Sequence, residues 1–170
     1  MAAAAFAAAG CGGSSDETPS AVDWANSVCQ AFSTWRDSIT SVGQSVQQNP
    51  TEQSLTSAGD DIKSATETLT DDLRNAGTPD TESGSQAKDA VDQLASQLDS
   101  SLQKIETAVD NASGVSGALT AVSTVSSTLA TMGTQISTAF QKLDQIDAQG
   151  ELRDAFEQAD ACAGLTSTGS

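Results

Sequence analysis

The chain has 170 residues, with seven Lys/Arg against 23 Asp/Glu and a formal net charge of -16. Such a surface repels the phosphates of nucleic acid and anionic membrane surfaces alike, so no nucleic-acid partner is expected. It contains no His, which removes the commonest general base and the commonest metal ligand together.

Met1–Ala9 is a run of small apolar residues. It is too short to span a bilayer, which takes about 20 residues, but it suits the apolar region of a secretory signal peptide. Ala8-Ala9-Gly10-Cys11 follows directly, and then the polar stretch Gly12–Pro19. This arrangement resembles the lipobox of bacterial lipoproteins. The resemblance implies that the Cys11 thiol takes a diacylglyceryl group and that the chain is cut just before Cys11. It further implies an extracytoplasmic protein anchored to the membrane by that lipid. Two features depart from the family pattern: Ala8 stands where Leu is usual, and the first basic residue is Arg36. A signal peptide carries positive charge before its apolar region, so the true start is expected upstream. The competing reading is an ordinary cleaved signal, or a disordered Ala-rich end, with an incidental Cys.

The three cysteines make an odd count. With Cys11 lipidated, Cys29 and Cys162 remain as a pair, and outside the cytoplasm a pair tends to oxidise. The alternative is two buried free thiols acting as small hydrophobes.

From Ala21 the pattern becomes helical. Ser20 reads as an N-cap with Asp23 three residues on. Ala25, Val28, Phe32, Trp35, Ile39, Val42 and Val46 then recur at alternating steps of 3 and 4, an apolar helix stripe. Asn49-Pro50 reads as the stop of this helix and the start of the next, with Asn49 as cap and Pro50 in the first turn. The second stripe is Leu55, Ala58, Ile62, Ala65, Leu69, Leu73 and Ala76, closed by Gly77 and Pro79. A polar loop leads to the third: Ala87, Val91, Leu94, Leu98, Leu102, Ile105 and Val109.

Asn111–Gly117 holds two glycines and reads as a turn. The fourth stripe runs Val122, Val125, Leu129, Met132, Ile136, Ala139, Leu143 and Ile146. Its Thr, Ser and Val content would suit a strand, but strand alternation from Val122 would put Thr124 and Ser126 on the apolar face. The 3-4 spacing favours a helix. After Gly150, Leu152, Ala155, Phe156, Ala159 and Cys162 form a short fifth helix.

The expected fold is all-α: an antiparallel up-down four-helix bundle with a short fifth C-terminal helix. Residues 1–10 are expected as signal peptide, 11–20 as lipidated Cys and flexible tether, 21–163 as the bundle and 164–170 as a disordered tail. In this topology the start of the first helix and the end of the fourth share one end, which would bring Cys162 to Cys29.

No catalytic constellation emerges. Without His there is no Ser-His or Cys-His pairing, and no glycine-rich phosphate loop lies between strand and helix. Asp60-Asp61 and Asp71-Asp72 lack calcium-loop spacing and read as solvated faces. No metal or cofactor is expected. Trp24 and Trp35 lie eleven residues apart on one side of the first helix. Trp35 belongs to the apolar stripe. Trp24 sits one residue off it and is the candidate for an exposed interaction residue. The stretch WANSVCQAFSTW loosely resembles the opening of uncharacterised small secreted helical proteins of actinobacteria, which implies no activity.

Three functional classes follow. The first is a non-catalytic, lipid-anchored envelope protein presenting an acidic bundle to a protein partner. The second is a small-ligand carrier or enzyme with a site between helices. The third, a cytoplasmic coiled coil like those of chemoreceptor signalling regions, is disfavoured by the cysteines.

Overall fold

A computed structural model describes residues 18–48 and 51–163. Five α-helices follow one another: α1 (Ala21–Gln48), α2 (Glu52–Asn75), α3 (Gly84–Asp110), α4 (Gly114–Ile146) and α5 (Glu151–Gln158). A 3-10 turn, Asp160–Cys162, follows α5. No strand occurs among the described residues. Cys11, the expected signal peptide, the tether up to Glu17, Asn49-Pro50 and the tail from Gly164 lie outside them.

The helix starts have local causes. The Ser20 hydroxyl accepts the Asp23 amide at 3.2 Å and donates to the Asp23 carboxylate at 2.7 Å, so Ser20 caps α1 as expected. The cap of α2 is Thr51 rather than Asn49: its hydroxyl accepts the Ser54 amide at 3.1 Å. α4 begins earlier than the sequence suggested. The two glycines of Asn111–Gly117 do not make one long turn. Gly114 takes φ +67, which a residue without Cβ reaches at little cost, and the helix proceeds through Gly117.

The Ser/Thr content of α4 is accommodated by back-bonding. Hydroxyls of Thr120, Thr128, Thr131, Thr134 and Thr138 each donate to the carbonyl four residues earlier. These bonds satisfy the side chains within the helix. The apolar stripe then decides helix over strand.

α1 packs on α2, α2 on α3 and α3 on α4, the up-down order of short connections. The loop between α2 and α3 is tight. A Cβ on Gly84 would lie 2.1 Å from the Pro79 carbonyl oxygen, so only glycine fits there. Lys63 of α2 reaches Glu106 of α3 at 2.6 Å. That hydrogen-bonded carboxylate, with Glu67 nearby, holds the Lys63 ammonium above its ordinary pKa.

The core is lined by Val28, Phe32, Leu69, Leu73, Leu94, Leu98, Ile105 and Met132, among others. Cys29 and Cys162 form a disulfide, with Cα atoms 5.1 Å apart. It ties α1 to the 3-10 turn that follows α5, at the end where α1 begins and α4 finishes. This end is termed proximal below.

Candidate functional site: an open apolar seam between α1 and α4

A closed four-helix bundle would also pack α1 against α4. Here the backbones of the two helices stay further apart than those of the other neighbours, and the helices meet through side chains such as Phe32 and Phe140. α5 folds back onto α1 and touches α4 more lightly. On the proximal half it covers the gap with an aromatic chain. Trp24 meets Phe156 at 5.9 Å between ring centroids, Phe156 meets Phe140 at 5.6 Å, and Phe140 meets Phe32 at 5.4 Å. α5 is eight residues long, about 12 Å at 1.5 Å per residue, whereas α4 has 33 residues. It therefore reaches only part of the seam.

The distal half stays open. There a cleft of about 220 Å³ lies between α1, α2 and α4, with the end of α3 at Val109, and is lined by Ile39, Val42, Ile62, Val125 and Leu129, among others. Ile62 and Ala121 are buried, whereas Ile39, Val42, Val125 and Leu129 are only half-buried. The cleft adjoins a shallow hollow walled by Val46 and Leu55 on one side and by Val115, Leu119 and Val122 on the other. Those three α4 residues are 81%, 68% and 40% exposed. Spaced at four and three residues, they form one ridge along α4. The ridge and cleft together make a contiguous apolar patch on a strongly acidic protein, the kind of surface that marks an interaction site.

The α1 and α4 walls of this seam are uncharged. No charged residue occurs from Ser38 to Gln48 on α1, nor from Gly114 to Gln141 on α4. Glu52, at the rim, accepts the Gly114 amide at 3.2 Å. The exposed face of α4 is otherwise Ser, Thr, Ala and Gly, many of its hydroxyls already bonded to their own helix.

A larger trough of about 660 Å³ and mixed lining runs along the outer face of α1 and α2, past Thr34, Ser38, Asp61 and Asp72 as well as Trp35, Val42 and Leu69. It is widely open, and the hydroxyl of Ser38 donates to its own helix at 2.9 Å. It has the character of a solvated groove between neighbouring helices. Among the described residues, no cluster of three metal-ligating side chains exists. The carboxylates of Asp60, Asp61, Asp71 and Asp72 are all exposed.

Of the residues singled out from sequence, Cys29 and Cys162 come together. Trp24 is corrected. Rather than projecting into solvent, it is fully buried, with its indole nitrogen donating to the Gly77 carbonyl at 3.1 Å. Its offset from the stripe is explained by α5 and the α2–α3 loop, which cover that side of α1. Trp35 is a core residue as expected, and its indole donates to the buried Thr66 hydroxyl at 3.2 Å. Val115 and Leu119 were missed because they fall in and next to the glycine-containing stretch assigned to a turn. The signal that could have found them is the charge-free run from Gly114 to Gln141. No family model, no curated protein and no solved structure matches this chain.

Proposed function

We propose that this is a non-catalytic, extracytoplasmic protein held to the membrane by a diacylglyceryl group on Cys11, and that it presents the α1–α4 seam to a protein partner. The observation that carries the binding reading is the exposed ridge Val115-Leu119-Val122 beside an open apolar cleft. The anchoring reading rests on Ala8-Ala9-Gly10-Cys11, and the Cys29–Cys162 disulfide suits an oxidising compartment. No described helix is long and apolar enough to cross a membrane, so lipid would supply the attachment. Two acyl chains suffice for stable anchoring.

A small-ligand carrier is less well supported. Ligand pockets commonly hold about 300–1,000 Å³ and bury most of the ligand. This cleft is about 220 Å³, and the hollow of about 390 Å³ that it opens into lies open to solvent, so a bound small molecule would stay partly exposed. Its shape suits the side chains of a protein surface.

The test is photocrosslinking in membranes of the native host. A photoreactive residue at position 119 should give protein adducts, and one at the exposed Ser96 should not. Equal adducts at both positions, or none at 119, would overturn the binding reading. Independently, Cys11→Ala should abolish fatty-acid labelling and release the protein from the membrane.

A further inference from the structure

We propose that the bundle stands end-on from its lipid, proximal end toward the bilayer, so that the seam meets an apolar protein surface held clear of the membrane and not a lipid or a membrane-embedded helix. This rests on reading Cys11 as the lipid-bearing residue and the seam as a protein-binding site, and it specifies where the partner lies.

The first argument is where the chain leaves the bundle. The Pro19 carbonyl accepts the Asp80 amide at 3.0 Å, and the Pro19 ring lies against Gly77. The segment leading back to Cys11 is thereby fixed to the α2–α3 loop, at the proximal end. The stretch from Cys11 to Pro19 spans at most roughly 30 Å. The ridge is at the other end of the molecule. α4 finishes proximally at Ile146, and along its axis Val122 and Val115 lie about 36 Å and about 46 Å from that point at 1.5 Å per residue. An end-on bundle holds the ridge at least that far above the bilayer surface.

The second argument is charge. The proximal end is strongly acidic. Asp80, Glu82, Glu151, Asp154, Glu157 and Asp160 are all exposed there, and Arg153 is the single cation in residues 77–83 and 147–163. An anionic leaflet repels such an end and holds it off beyond a Debye length of about 8 Å. Tilting the bundle onto α2 or α3 brings further exposed carboxylates, such as Asp60, Asp71 and Asp89, toward the surface, so repulsion opposes that as well.

The third argument removes the remaining orientation. The least charged side is the seam, so the competing arrangement lays the seam on the bilayer. Surfaces that bind the lipid interface carry Lys or Arg for the headgroups and Trp or Tyr for the boundary. The α1 and α4 walls carry none of these four from Ser38 to Gln48 and from Gly114 to Gln141. Exposed Glu52 also lines the hollow beside the ridge, and lipid contact would press it against the headgroups. A protein surface can clear or pair one carboxylate at the rim. A continuous anionic sheet cannot.

The experiment fixes the lipid by chemistry, independently of processing in a cell. With the Cys29–Cys162 disulfide intact, the full chain has one free thiol, Cys11. It is coupled to a maleimide-bearing phosphatidylethanolamine in vesicles of phosphatidylcholine containing phosphatidylglycerol. A fluorescent amino acid replaces Leu119 or, at the exposed proximal position, Glu157, and a dye on the headgroups accepts its energy. Helicity by circular dichroism should be unchanged by either replacement. Transfer should be severalfold stronger from position 157 than from position 119. Raising NaCl from about 20 mM to about 0.5 M shrinks the Debye length from roughly 20 Å to roughly 4 Å, so transfer from position 157 should rise while that from position 119 stays weak. Equal transfer from the two positions, or stronger transfer from 119, places the seam on the bilayer and overturns the proposal. Phospholipid adducts of a photoreactive residue at position 119, in membranes of the native host, overturn it too. A Cys11→Ala chain that keeps its fatty-acid label in that host overturns it through the anchor instead, a failure that the vesicle measurement does not share.

Discussion

The indole nitrogen of Trp24 donates to the Gly77 carbonyl across 3.1 Å, joining the first turn of α1 to the loop that follows α2. Gly77 has φ +76, a conformation that aims its carbonyl at the indole and turns the chain toward α3. The ring is fully buried and leans edge-on against Phe156. One side chain thus couples the start of the bundle to its second loop and to its closing helix.

Trp24→Phe keeps an aromatic ring but leaves that carbonyl without its indole donor and a gap where the second ring stood. An unpaired, partly buried acceptor costs about 1–3 kcal/mol. The expected outcome is a loss of that order in urea denaturation, with helicity preserved. Trp24→Ala should cost more, about 3–5 kcal/mol. Equal stability of Trp24→Phe and wild type would mean that the bond contributes nothing.

The same residue marks how far sequence alone can go. The heptad stripes place the helices because the steps of 3 and 4 are set by the geometry of one helix. Trp24 lies off the stripe, and its burial depends on α5 and a loop folding over it, which no local pattern encodes. The seam was hidden for a related reason. Val125, Leu129 and Ile136 belong to a regular stripe, and a regular stripe implies a partner helix. That α5 would cover one half and leave the other open follows from its length and its disulfide register. Val115 and Leu119 were obscured by two nearby glycines. Local turn propensity lost there to helix continuation, which begins once Gly114 adopts a positive φ. The Cys29–Cys162 pairing, in contrast, was legible, because up-down topology and cysteine arithmetic point to the same end of the bundle.

The Lys63–Glu106 pair gives a pH signature. The folded state holds the Lys63 proton more tightly than the unfolded chain does, chiefly through the hydrogen bond and charge of Glu106. Its contribution is therefore complete below the ordinary value of 10.5 and is lost as pH rises through the raised value. Both side chains are substantially exposed, 45% and 35%, so the effect is modest and weakens with salt. Lys63→Met should lower the urea midpoint slightly at about pH 8, and that difference should fade as pH rises past the ordinary 10.5 and through the raised value. A difference that persists unchanged in strong base would assign the effect to packing of the lysine stem.

Reduction of the disulfide tests how the proximal seam is held shut. Cys29 and Cys162 are separated by 133 positions, and closing a loop of that size restrains the unfolded chain by about 5 kcal/mol in the chain-entropy model. For a domain of this length, 1 kcal/mol moves Tm by roughly 2–4 °C. Reduction should therefore lower Tm by up to roughly 10–20 °C. The four long helices do not depend on the bond, since their stripes pack with α2 and α3 at the centre. α5 does depend on it: eight residues make too short a helix to hold without tertiary support. Below the lowered Tm, amides of α5 should lose hydrogen-exchange protection while those in the middle of α2 and α3 keep theirs. Trp24 should report the same event, because Phe156 leaves its ring edge. In a Trp35→Phe background its emission should shift to the red on reduction. Simultaneous loss of protection in α5 and α3 would show that the bond holds the whole bundle together, and not the flap that covers half of its seam.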